Sequence, residues 1–242
     1  MTVRLDYALA TNGGSQSGVT DAHLDAEQDA FETGLQSILA RVKNDELGFW
    51  KLPTSAPAAD VHRWVGEVPD AIQDVIVLGI GGSSLGGRAL YEALGGPPEL
   101  REGRRLHFPD NSDPWRLARL LDALDPHKTL AIAISKSGGT VETAASFLVV
   151  RGWLKAAGAP FEKHLLAITD PAGGSLRALA DAEGLSTFSI PPNVGGRFSV
   201  LKPVGLAPPA RVGFDKDALH RGAHAMRARF ESPQHRANPA GI

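Results

Sequence analysis

The stretch that decides the fold is V75-I-V-L-G-I-G-G-S-S-L-G-G87. An aliphatic run, Val75–Ile80, meets a burst of glycine and serine, and a helical pattern, R88-A-L-Y-E-A-L94, follows directly. Unalternating, β-branched runs of this kind belong to strands buried on both faces, as in parallel sheets. Gly79, Gly81, Gly82, Gly86 and Gly87 leave little side-chain bulk between strand and helix. Backbone N–H groups in such a turn can face a ligand at a helix N-terminus, where the dipole favours an anion. A tight turn that binds nothing explains the same glycines, so this loop alone does not decide.

Working outward, the alternation repeats. Aliphatic runs lie at 130–134 (LAIAI) and 164–169 (HLLAIT), with weaker ones at 105–108 (RLHF) and 186–190 (STFSI). Helical patterns fill the gaps at about 84–95, 113–123, 141–157 and 174–183. Strand–helix–strand repetition predicts an α/β fold, a three-layer αβα sandwich on a five-stranded, mainly parallel sheet. Ligands of such sheets bind beyond the carboxyl ends of the strands, so the loops that follow strands carry the functional signal.

The loop S135-K-S-G-G-T140 is the strongest. Ser135, Ser137 and Thr140 offer three hydroxyls, and Gly138 and Gly139 free backbone N–H groups at a helix start. Thr140 as an ordinary N-cap accounts for one hydroxyl, not for three plus a Gly-Gly. The pattern reads as a phosphate cradle. It is not a G-x-x-x-x-G-K-[ST] loop, which disfavours nucleotide hydrolysis. Lys136 reaches a phosphate or is solvated, and solvation is the expectation; Glu142, in the first helical turn, is expected to point away from an anion. A third loop, P191-P-N-V-G-G-R-F-S199, presents Arg197, which suits an oxyanion or a surface carboxylate. A dinucleotide reading of the first loop has only Asp110 to serve as its acidic residue, and the serines suit a small phosphate better.

Outside this region, residues 1–19 read as a loose lead-in, 21–43 as one amphipathic helix and 51–60 as a Pro/Ala linker. One short helix in 197–210 is expected to break at Pro208–Pro209, and 215–232 reads as a last helix with a solvated basic face. The expected division is 1–59, 60–210 and 211–242. The 242 residues are 43% hydrophobic and 21% charged, with a formal net charge of −2. These are globular values, and the charge gives no general attraction to nucleic acid or to an anionic membrane. The absence of cysteine excludes disulfides, thiolate catalysis and cysteine-ligated zinc. His220 and His224 are spaced as metal ligands, but no third ligand is evident, so no metal is expected. No signal-peptide core and no apolar run of about 18 residues is seen, which predicts a soluble, cytoplasmic protein.

The segments "GIGGSSLGG", "SKSGGTVET" and "GGRFSVLKPVGL", in this order and with "NSDP" at 111–114, resemble the glucose-6-phosphate isomerase family over about residues 70–210. They are similar to its first sugar-isomerase (SIS) domain, a flavodoxin-like fold flanked by N- and C-terminal helices. The resemblance implies that Gly82 and Ser83 line the sugar side of a site and that Ser135, Ser137 and Thr140 hold a 6-phosphate, with Lys136 in the loop's path. It implies that Arg197 stabilises an enediolate as glucose 6-phosphate and fructose 6-phosphate interconvert, with no cofactor or metal. It also implies a homodimer, because the family's ring-opening histidine comes from the neighbouring subunit. The family's catalytic glutamate, histidine and lysine segments are not found in this sequence. The expectation is therefore a portion of a longer isomerase, with activity near background. A natural single-domain sugar-phosphate sensor is the alternative, and a nucleotide-binding oxidoreductase a third.

Overall fold

A computed structural model of the chain describes residues 4–11, 18–54, 58–96 and 103–241. Two compact units emerge, one from residues 54–220 and one from residues 1–53 with 221–242. The centre of the expected linker, 55–57, lies outside the described residues.

The larger unit is built on five strands: β1 (Asp74–Leu78), β2 (Arg105–His107), β3 (Thr129–Ser135), β4 (Leu165–Thr169) and β5 (Ser186–Ser189). Their order is β2-β1-β3-β4-β5, and every pairing is parallel. The sheet is thus wholly parallel. Successive residues point to opposite faces, and both faces are apolar. Val75, Val77, Leu130, Ile132 and Ile134 pack with Trp64, Tyr91, Val204 and Ala207 on one side. Ile76, Leu78, Ala131, Ala133 and Ala167 pack with Leu117, Phe147, Val150 and Leu176 on the other. The first layer holds α3 (Ala58–Glu67), α4 (Leu85–Leu94) and α9 (Pro203–Arg211). The second holds α5 (Pro114–Asp122), α6 (Val141–Ala156) and α8 (Ser175–Ala182), with a single turn, α7 (Phe161–His164), leading into β4.

The NSDP segment starts α5 by local chemistry. Asp113 Oδ1 accepts from the Trp115 and Arg116 amides at 2.9 and 3.4 Å, and Pro114 takes the first helical position, where no N–H is needed.

Two expectations fail. The helix in the Pro-rich stretch does not break at Pro208–Pro209. It runs through both to Arg211, with all nine residues buried. Two missing N–H groups weaken its last turns, but Val204, Leu206, Ala207 and Ala210 fill the core, and that packing outweighs the propensity. The pattern over 21–43 forms two helices rather than one, α1 (Asp21–Ala26) and α2 (Gln28–Lys43), turning at Glu27. Each side of the break is held by the C-terminal segment of the smaller unit. Arg236 pairs with Asp21 and Asp25, both at 2.8 Å. Gln28 Nε2 donates to the Pro233 carbonyl at 2.9 Å, and Gln28 Oε1 accepts from the His235 amide at 3.1 Å. Such long-range bonds leave no mark on local periodicity. The last helix, α10, spans Lys216–Phe230, and the division between the two units falls within it.

Candidate functional site

In this strand order the chain reverses direction across the sheet between β1 and β3, where ligands of open parallel sheets sit. A cavity of about 660 Å³ lies there, lined by Gly82, Ser83, Ser135, Lys136, Ser137 and Thr140. The structure therefore brings together all six residues named from the sequence as ligand contacts. Asp170, Gly173, Gly174 and Gly196 complete much of the wall.

The loop after β3 is ordered by its own hydroxyls. Ser135 Oγ accepts from the Gly138 amide at 3.1 Å, and Ser137 Oγ accepts from the Gly139 amide at 3.3 Å. Thr140 occupies the N-cap position of α6, but its side chain makes no capping bond. Its Oγ1 instead lies 3.4 Å from Ser135 Oγ. The N-cap reading thus fails to absorb even the one hydroxyl it was expected to explain. Both serine oxygens accept from the loop, and in the Ser135–Thr140 contact only one hydroxyl can donate, which leaves one proton of that pair, and that of Ser137, for another acceptor. The sixteen-residue α6 begins directly behind, with its first amides and the positive end of its dipole at the end where Thr140 lines the cavity. Glu142 is exposed.

Sequence reasoning missed the loop after β4. Gly138 has φ 69° and Gly174 has φ 90°, a region that L-residues rarely adopt. A Cβ on Gly174 would overlap the Ser137 carbonyl oxygen, and one on Gly138 would lie 2.6 Å from the Leu176 amide nitrogen. Ser175 Oγ donates to the Gly138 carbonyl at 2.6 Å, and Thr169 Oγ1 to the Ser135 carbonyl at 2.7 Å. The two strand ends are thereby tied together. Asp170 caps its own turn, its Oδ1 accepting from the Ala172 and Gly173 amides at 2.9 and 3.1 Å. The Asp-x-x-Gly-Gly spacing after a buried strand was the signal available for this loop.

Lys136 is not solvated as expected. Its Nζ donates to the carbonyl oxygens of Pro192 and Val194 at 2.6 and 3.3 Å, tying the loop after β3 to the loop that carries Arg197. Arg197 sits in a single 3-10 turn, Gly196–Phe198, and is exposed. No carboxylate pairs with it among the described residues. Asp110, the acid a dinucleotide site would need, is engaged by Arg88 at 3.0 Å. No described helix is long and apolar enough to cross a membrane.

These features have close counterparts. A family model described as phosphoglucose isomerase matches residues 51–240. The glucose-6-phosphate isomerase of Carboxydothermus hydrogenoformans is 42% identical over 231 residues, covering 92% of this chain and 50% of that protein. One from Thermus thermophilus is 46% identical over 178 residues, 73% of this chain and 42% of its own length. Among solved structures, a hypothetical protein from Thermus thermophilus superposes with a TM-score of 0.83 at 40% identity, covering 91% of this chain and 52% of that one. A glucose-6-phosphate isomerase from Chlamydia trachomatis gives 0.70 at 25% identity, with 90% and 48% covered. The chain spans about half the length of the curated relatives it matches. By motif order, by sheet topology and by these matches, the chain belongs to the phosphoglucose isomerase family.

Proposed function

We propose that this chain is the phosphate-binding portion of a glucose-6-phosphate isomerase, with residues 60–210 as its sugar-phosphate domain. The observation that carries the reading is the convergence of Ser135, Ser137 and Thr140 with Gly82 and Ser83 on one cavity at the β1 and β3 ends. A phosphate there takes hydroxyl donors from the 135–140 loop and amide donors from the start of α6. The sugar then extends toward Gly82 and Ser83. Lys136 lines the same cavity and adds positive potential while its ammonium stays on the Pro192 and Val194 carbonyls.

Isomerisation moves a proton between C2 and C1 of the opened sugar and builds negative charge on oxygen. Arg197, with its planar fork of N–H donors, is assigned to that charge. The proton itself needs a base within hydrogen-bond reach. Asp170 is the one acidic residue on the cavity wall among the described residues, and one of its oxygens is committed to its own turn. We therefore assign to this chain alone an isomerase rate near background. The reading extends to a homodimer, a cytoplasmic location and no cofactor for the whole enzyme.

Calorimetry with fructose 6-phosphate, inorganic phosphate and NAD tests the proposal. Fructose 6-phosphate and phosphate should bind competitively and NAD should not, and Ser137→Ala with Thr140→Val should remove both signals. Binding of NAD, or no binding of either phosphate compound, overturns it. A coupled assay with a substantial kcat would overturn the assignment of background activity.

A further inference from the structure

A second cavity, also about 660 Å³, lies beside the edge strand β5. Its wall includes Trp64 of α3, Ser186, Thr187 and Ser189 of β5, and Lys202 at the entry to α9. It shares no residue with the phosphate-type cavity. Among the described residues Lys202 is the only lysine on it, and it is half-buried.

The surroundings of this amine disfavour its charged form. Among the described residues, the other charged side chains on the cavity wall all come from α3: Asp60, Arg63 and Glu67. Asp60 is taken by Arg63 at 2.6 Å, and Lys202 forms no ion pair with Glu67 or with any other described acid. The parts of β4 and β5 on the wall contribute no charged residue. Lys202 is also the N-cap residue of α9, so its side chain leaves the backbone at the positive end of a helix. Burial lowers the pKa of the ammonium from its ordinary value. An amine that loses its proton more easily presents more of its neutral, nucleophilic form at a given pH, the usual basis of imine-forming lysines.

We propose that Lys202 is a reactive amine and that its cavity is a modification site for small hydroxyaldehydes, which bond to it as imines. The hydroxyl-bearing residues of β5 suit a hydroxylated carbon chain, and the cavity has room for one. In the reaction the Nζ lone pair attacks the aldehyde carbon, and the carbonyl oxygen takes up a proton. The resulting carbinolamine expels that oxygen as water and loses the nitrogen proton. Amine and aldehyde thus become imine and water, with no change of oxidation state. This inference does not depend on the phosphate reading of the other cavity.

The test uses glyceraldehyde, which is neutral and so has no attraction to an anion pocket, with cyanoborohydride to reduce any imine formed. Peptide mass spectrometry then follows each lysine of the full chain. At about pH 7, Lys202 should be labelled a few-fold faster than the exposed Lys155 and Lys163. Its rate should also fall less steeply than theirs as pH is lowered from about 9 to about 7. Lys202→Arg should remove that label and no other. Labelling of Lys202 no faster than that of Lys155 overturns the proposal. That comparison lies within the wild-type chain, so it stands even if the variant folds poorly.

Discussion

Gly82 and Gly196 meet backbone to backbone: a Cβ on Gly82 would lie 2.5 Å from the Gly196 carbonyl oxygen and 2.8 Å from the Arg197 amide nitrogen. The turn after β1 and the loop bearing Arg197 can approach this closely only because position 82 has no side chain. Gly82→Ala must push the loops apart. Overpacking of this kind costs about 1–3 kcal/mol. Because the displaced loop carries Arg197, the variant should also lose about tenfold in fructose 6-phosphate affinity, ~1.4 kcal/mol. Gly34→Ala is the control. That glycine lies within α2 with open space around it, so the change should stabilise by about 0.5–1 kcal/mol. Thermal melts and calorimetry read both. Unchanged affinity in Gly82→Ala would break the link between this contact and the site.

Lys136 joins the same two loops by side chain rather than by backbone. Lys136→Met removes its bonds to the Pro192 and Val194 carbonyls. Hydrogen bonds from charged donors contribute about 1.5–3 kcal/mol when sheltered, and the exposure of Pro192 brings the expected loss to about 1 kcal/mol. Amide exchange over residues 194–199 should quicken, while phosphate affinity falls only a few-fold. A large loss of phosphate affinity with unchanged exchange would mean that Lys136 serves the anion directly.

Much of this architecture was legible in the sequence because it rests on local signals. The buried strands are aliphatic runs, and each helix of the sheet unit begins near a glycine, proline or capping residue. The Ser135–Thr140 loop was legible for the same reason: its hydroxyls and glycines are adjacent in the chain. What escaped depends on residues far apart. The Lys136 clamp spans 56 and 58 positions. The turn at Glu27 is set by contacts with Arg236 and His235. The helix through Pro208 and Pro209 persists because every residue in it is buried, which no propensity records. Asp170, Gly173 and Gly174 were passed over although they too follow a strand. Their part in the cavity appears only when Gly174 is seen pressed against Ser137.

Asp170 places a carboxylate on the wall of the cavity proposed to take a phosphate. Its bonds to the Ala172 and Gly173 amides need only an oxygen acceptor, which asparagine retains. Asp170→Asn should leave the turn intact and remove a like-charge repulsion. Partly exposed charges at such separations interact by about 0.5–1 kcal/mol. Inorganic phosphate should therefore bind about two- to fivefold more tightly, and the gain should shrink as salt is added. Weaker binding in the variant would show that the charge itself serves the site, for instance by holding a protonated or metal-bridged ligand.

The smaller unit carries a pH dependence that can be assigned to one group. Glu231 Oε1 accepts from Arg227 Nε at 2.8 Å and from the Trp50 indole at 3.1 Å. The hydrogen bond from Arg227, then that from Trp50, holds the carboxyl below its ordinary pKa, against a smaller opposing effect of burial. A carboxyl whose pKa is depressed on folding releases its proton more readily in the folded state. Its stabilising contribution is therefore present at neutral pH, above the unfolded value, and is lost as pH falls through the carboxylate range toward the folded one. The group is more than a third exposed, so solvent screens the effect and it should be small. Melting temperatures of wild type and Glu231→Gln should differ at neutral pH and converge in acid, because protonation leaves the wild type with a similarly neutral side chain. Trp50 fluorescence should report the same change, since its indole loses a charged acceptor. A gap between the two proteins that persists unchanged below the carboxylate range would place the stabilisation in packing rather than in charge.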